Sequence, residues 1–211
     1  MKKAVTVITV FFSVVILAGC QNASSESVRN QSIQDSHKAY SDFISGSRSL
    51  INSNQSEEWW IPDFSDGELQ YEYAYFDLDG DGGDELLVQT VDAPCVYNGV
   101  FHFDGENIVC WNSDGAEMNC FDYPLRDGTM VRTYDFNGTR SYTLFNYTSD
   151  GVKNDIANLF LREELIPEDS SEKCPYYEVN GAEVEKSAFD EQFNKLIADK
   201  LTERSFWTAV K

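Results

Sequence analysis

Histidine is scarce in this chain of 211 residues: His37 and His102 are the only two, and no Cys-x-x-Cys occurs. That excludes a zinc pattern of ordinary ligand spacing and leaves a histidine-based catalytic site little to draw on. Each histidine therefore reads as structural or surface-placed. His-Glu-x-x-His, Gly-x-Ser-x-Gly, a phosphate-cradling glycine loop and a dinucleotide fingerprint are also missing, which removes the main motif-bearing enzyme classes. Basic residues are few, 16 against 36 acidic ones, for a formal net charge of −20. A field of that sign repels phosphates and anionic headgroups, excludes nucleic acid as a partner and attracts cations. The apolar stretch from Ala4 to Leu17 covers 14 residues, short of the about 20 that a membrane helix needs.

That stretch has a different use. Lys2 and Lys3 form a basic start, the apolar segment follows, and Leu17, Ala18, Gly19 and Cys20 close it, which is signal-peptide architecture. The closing four residues resemble the lipobox of bacterial lipoproteins. The resemblance implies that the Cys20 thiol receives a diacylglyceryl group and that cleavage just before it removes residues 1–19 as the signal peptide. Two acyl chains, palmitate-like in length, hold a protein on a bilayer where one barely does, because each buried methylene contributes about 0.8 kcal/mol. The expected location is the extracytoplasmic face of the cell membrane, tethered through Cys20. Residues 20–32 are polar apart from Val28 and read as a lipidated cysteine followed by a flexible linker. Residues 33–211 are enough for a single domain with its own core.

After Cys20 come Cys95, Cys110, Cys120 and Cys174. An even number in an exported chain permits two disulfides in any of three pairings, and also permits thiols. A hairpin turning at Asp114-Gly115 places Cys110 opposite Cys120, leaving Cys95 and Cys174 as the second pair by elimination.

The domain is expected to open with a helix: Ser32 and Asp35 offer a capping pair, and Tyr40, Phe43, Ile44, Leu50 and Ile51 recur at mostly helical spacing across a weak point at Gly46. From Tyr71 the period changes. Asp-Gly or Asn-Gly pairs at 104, 114, 127, 137 and 150 punctuate aromatic and branched runs, which reads as an antiparallel meander. The spacing predicts strands at 71–77, 85–91, 97–103, 107–112, 117–123, 129–135, 140–147 and about 155–163, then a further turn at Asn180-Gly181. A second capping pair, Ser187 with Asp190, precedes the stripe Phe189, Phe193, Leu196, Ile197 and Leu201 of an amphipathic helix of about four turns, with Lys195, Lys200 and Arg204 toward its end. Helix, meander and covering helix define an α+β domain.

The stretch from Phe76 to Leu86 carries the most distinctive chemistry. Asp77, Asp79 and Asp81 occupy loop positions one, three and five, Gly82 position six, Gly83 offers its carbonyl at seven, and Glu85 stands at nine. A hard cation that takes six to eight oxygens needs carboxylates converging from alternate positions of a curled loop. Two departures separate it from an EF-hand: position twelve is Val88, and the flanks read as strands. It resembles instead the strand-loop-strand calcium loop Asp-x-Asp-x-Asp-Gly-x-x-Asp/Glu of FG-GAP-like repeats and of many surface lipoproteins of Gram-positive bacteria, which implies a structural Ca2+. The loop occurs once and no repeat of blade length is present, so a propeller is excluded. Five carboxylates, Asp77, Asp79, Asp81, Asp84 and Glu85, repel one another by up to about 3 kcal/mol per close pair at about 5 Å and an effective dielectric constant of about 20, before screening. A divalent cation removes that penalty.

Aromatics supply a candidate ligand platform. Trp59 and Trp60 stand beside Pro62, and Tyr71, Tyr73 and Tyr75 share one face of a strand leading into the loop. Flat rings on a rigid sheet present large area at small entropic cost, a ledge for an envelope glycan or protein. Packing in the core is the competing use of the same residues. The expected function is a lipid-anchored, calcium-stabilised binding module; the alternative is a carboxylate-based surface hydrolase of glycan or peptide, for which 36 acids offer candidates.

Overall fold

Local turn chemistry sets most of the architecture. A computed structural model describes residues 19–51, 60–65, 67–94, 96–115, 119–163 and 173–211, the side chains of 19–28 excepted. The elements run α1 (Gly19–Ile44), β1 (Tyr71–Phe76), β2 (Glu85–Thr90), β3 (Asn98–Phe103), β4 (Ile108–Asp114), β5 (Cys120–Pro124), β6 (Met130–Phe136), β7 (Thr139–Tyr147), β8 (Lys153–Arg162), β9 (Tyr176–Val179), β10 (Ala182–Glu183), α2 (Lys186–Leu196) and β11 (Thr208–Ala209). The α+β class is as the sequence predicts. Asn137 and Gly138, at φ 51° and 72°, form the two-residue link from β6 to β7, the positive-φ pair that suits the twist of a tight hairpin.

The strands do not make one meander. They make two antiparallel sheets, ordered β11-β1-β2-β3-β4 and β10-β9-β8-β7-β6-β5; the second is a meander throughout, and the first is a meander from β1 to β4 with β11 returning to its edge beside β1. The break falls at Asp114-Gly115, where a hairpin was expected. Asp114 ends β4 opposite Asn98, and its carboxylate accepts a hydrogen bond from its neighbour Gly115 (2.8 Å). The chain then leaves for the second sheet instead of turning back. Cys110 and Cys120 consequently lie on different sheets, and among the described residues Cys110, Cys120 and Cys174 form no disulfide with one another; Cys95 lies outside the described residues. Cys110 is buried under α1, and burial pushes its thiol up to about 12. Since the thiolate is the nucleophile, native protein treated with iodoacetamide is expected to leave Cys110 unmodified until denaturant is added, and mass spectrometry of the alkylated peptides checks it.

Four layers result. Tyr40, Phe43 and Ile44 of α1 pack on the face of the first sheet that carries Tyr71, Leu86, Val88 and Phe101. The opposite face, with Ala74, Phe76, Leu87, Val100 and Trp111, meets Met130, Phe145 and Tyr147 of the second sheet. The far side of the second sheet, including Val131, Leu144 and Leu159, is covered by Phe189, Phe193 and Leu196 of α2 and by Ile197 just beyond it. Each such side chain taken fully from water contributes about 1.5–3 kcal/mol. Between the sheets, Asp122 is clasped by Arg132 (2.8 and 3.0 Å) and by Lys153 (3.1 Å), and Lys153 also donates to Asn112 across the interface (3.0 Å).

Four helix boundaries differ from expectation. α1 takes in residues 20–32, the expected flexible linker, because no proline or glycine interrupts the chain between Cys20 and Ile44. Ser32 is thus an interior residue, not a cap. The same helix stops at Ile44; Gly46, at φ 98°, follows the stop, and a turn through Leu50 brings Ile51 into a parallel bridge with Ile108. α2 begins one residue before Ser187, with Glu185 at its N-cap, because Asp190 pairs with Lys186 (2.8 Å) one turn away. It ends at Leu196, so Lys200 and Arg204 serve elsewhere: Lys200 pairs with Asp127 (2.7 Å) and Arg204 with the buried Glu72.

Candidate metal centre

The acidic loop joins β1 to β2 at one end of the first sheet. Its course is held by its own carboxylates: Gly80 N donates to Asp77 Oδ1 (2.8 Å), Asp81 N to Asp79 Oδ1 (3.0 Å), and Gly83 N to Asp81 Oδ1 (2.6 Å). Each aspartate closes a turn two or three residues long, the habit of that side chain in loops. Gly82 carries φ 90°, a backbone conformation that calls for glycine, and a Cβ there would lie 2.8–2.9 Å from the Arg29 guanidinium and push it aside.

Glu85 opens β2 with 1% of its surface exposed and is held from two sides: Leu78 N donates to Oε2 (2.8 Å), and His102 Nδ1 lies 3.0 Å from Oε1. The His102 ring stacks on Trp111 (centroids 4.7 Å apart), which orients it. Burial is the main reason the Glu85 carboxyl titrates high, working against these hydrogen bonds. His102 is raised too, chiefly by its bond to Glu85. Asp79 is raised by burial first and then by Asp81 and Asp77.

Ligand oxygens of Asp77, Asp79 and Glu85 converge to within 4.8 Å of one another, a triad that could hold a metal ion. Asp79 Oδ2 is buried without a hydrogen-bond partner. A carboxylate oxygen shut away from water and from donors is costly unless a cation satisfies it, so the residues present fit the ion that the spacing implies. Three carboxylates leave part of a six- to eight-oxygen shell to carbonyls and water. Asp81, another expected ligand, stands outside the converging side chains; it accepts from the Gly83 amide and lines an open groove of about 730 Å3. That groove runs between α1, which contributes Gln31, Ser32 and Asp35, and the β3–β4 turn, which contributes Phe103 and Asp104.

The expected aromatic ledge is divided. Tyr71 is 4% exposed and belongs to the core under α1; Tyr73 and Tyr75 pack against the same cluster, and Tyr75 stacks on His37 (4.0 Å). The helix covers the tyrosine stripe because that face is the apolar side of the first sheet. Trp59 lies outside the described residues. Trp60 is 60% exposed and meets Tyr97 edge-on. Four residues that hold the loop escaped the sequence reading: Arg29, His37, His102 and Gly128. His102 carried a signal, since the register of β2 with β3 sets it near Glu85; Arg29 and His37 carried none, because a helix docking on a loop leaves no short-range pattern.

Fold and site together define a two-sheet α+β protein with, among the described residues, one carboxylate triad that could hold a metal ion. No protein-family model, curated protein or solved structure matches the chain.

Proposed function

We propose that this protein is a lipid-anchored, calcium-stabilised binding module on the extracytoplasmic face of the cell membrane, presenting its surface to an envelope glycan or protein. The observation that carries the reading is the convergence of Asp77, Asp79 and Glu85 around an unpartnered buried oxygen of Asp79. The triad is built into the joint between two strands and is walled by Leu78, His102 and Arg29, which suits a cation that stiffens a scaffold. The anchor rests on Leu17-Ala18-Gly19-Cys20, and the membrane is the one partner this motif supplies. Trp60 and the groove beside Asp81 offer ring and polar surface to a ligand.

Two measurements test it. Cys20→Ala is expected to abolish incorporation of labelled fatty acid and to release the chain from the membrane; label persisting in the variant would refute the anchor. Trp60→Ala is expected to keep the wild-type melting temperature while weakening retention on an array of envelope glycans. Steady release of sugar or peptide products from envelope material, in proportion to protein, would favour the carboxylate hydrolase over the binding module.

A further inference from the structure

We infer that cation binding in the loop and the seating of the lipid-proximal half of α1 are coupled, each strengthening the other. The inference rests on the cation reading given above and goes beyond it, since a scaffold ion need not touch the anchor. Within the described residues α1 runs from Gly19, beside the expected lipidation site Cys20, and reaches the loop within three turns. Arg29, His37 and Tyr40, spaced by eight and three residues, share one helix face and all three bind the loop. Arg29 Nε donates to Gly82 O (3.0 Å), His37 Nε2 meets Asp84 Oδ2 (2.9 Å), and Tyr40 Oη donates to Asp84 O (3.0 Å). These bonds grip loop positions six and eight, directly between the triad members Asp79 and Glu85.

Gly82 O and Asp84 O accept hydrogen bonds from α1 in the same loop conformation that brings the three carboxylates within 4.8 Å. An empty triad spreads by mutual repulsion and drags those carbonyls off their donors; a bound cation holds them in place. Arg29 takes a carbonyl and leaves the carboxylates of the triad to the ion. Further along, Phe43 and Ile44 are buried in the core beneath the helix, away from the loop contacts. The responsive part is therefore the helix from Arg29 to His37, which also carries Gln31, Ser32 and Asp35 of the groove wall. Cation occupancy thus sets both how the body stands on its lipid-linked helix and whether the groove has its second wall.

Linkage makes the coupling reciprocal, with typical factors of about 5 to 150. The test uses the full lipidated chain in detergent, with calcium chloride or a chelator. Amide hydrogen exchange of peptides covering residues 29–37 is expected to slow by at least about fivefold in calcium, and Asp79→Asn is expected to remove the change. Calorimetric titration of calcium into Arg29→Ala is expected to show affinity lowered by a similar factor. Wild-type calcium binding with unchanged exchange at 29–37, or with unaltered affinity in Arg29→Ala, overturns the coupling while sparing the cation site. Absence of calcium binding to the wild type overturns both.

Discussion

Millimolar calcium is expected to raise the melting temperature of this protein above its value in chelator, and Asp79→Asn is expected to erase the difference. A cation that binds only the folded chain stabilises it by about 2.7 kcal/mol at a hundredfold excess over Kd. For a domain of this size that corresponds to a shift of about 5–10 °C. The variant separates a ligand from a merely structural carboxylate by the sign of its effect without calcium. Burial, then the charges of Asp81 and Asp77, raise the Asp79 carboxyl, so its ionised form is the strained one in the fold. Replacing it with the neutral isostere relieves that strain, and the chelator-treated variant should melt no lower than wild type. Scanning calorimetry in both buffers decides the matter: a melting curve indifferent to calcium in the wild type, or a calcium response that survives in Asp79→Asn, defeats the triad as a cation site. Trp111 offers a second readout, because its ring stacks on His102 and His102 is hydrogen-bonded to Glu85. Its emission should respond to calcium in the wild type and not in the variant.

Gly128→Ala is expected to destabilise the protein by about 2–5 kcal/mol, combining a left-handed backbone imposed on a residue with a Cβ and an overpacked contact. Gly128 sits in the β5–β6 turn at φ 80°, and its Cα lies against the backbone carbonyl of Asp77, so an added methyl meets a peptide group that cannot rotate away. The turn belongs to the second sheet and Asp77 to the cation loop on the first. Accommodating the methyl therefore means separating the sheets at this end or displacing a triad member, and calcium affinity should fall together with stability. Gly181 provides the control: it has the same φ of 80° but nothing within 4 Å of an added Cβ. Gly181→Ala carries the conformational cost alone, so the difference between the two variants in denaturant unfolding isolates the contact. Equal losses in both would show that the loop and the β5–β6 turn are independent.

The two expected effects probe one arrangement from opposite sides. The cation loop is short enough to specify its own turns, yet its carboxylates converge only because neighbours press on it. α1 holds Gly82 and Asp84, His102 and the Leu78 amide hold Glu85, and the Gly128 turn backs Asp77. The loop spacing named Asp77, Asp79 and Glu85 as a set, since alternate positions on a tightly curled backbone point the same way. It also named Asp81, which stands outside the converging triad; Asp77, Asp79 and Asp81 each accept a loop amide, so turn closure does not distinguish them. The residues that brace the loop from outside include Arg29, His37 and Gly128, each about fifty positions away.

What the sequence determined by itself is local. Strand positions were legible within a few residues because period-two alternation and positive-φ turn pairs act over four to ten residues, as at Asn137-Gly138 and Asn180-Gly181. The amphipathic stripe of α2 was legible for the same reason. Pairing across distance belonged to the tertiary structure. Asp114-Gly115 has the composition of a hairpin turn, and only the competition of β5 for β6 over β4 made it a crossing between sheets. The tyrosines of β1 alternate as an exposed ledge would, and only the docking of α1 buried them. Ser32 and Ser187 have the spacing of caps, and the helices begin elsewhere because nothing stops the chain upstream of one and Lys186 binds Asp190 in the other. Short-range sterics and hydrogen bonding decide how a segment is shaped; which surface it then covers is decided by apolar area that the whole chain must share out.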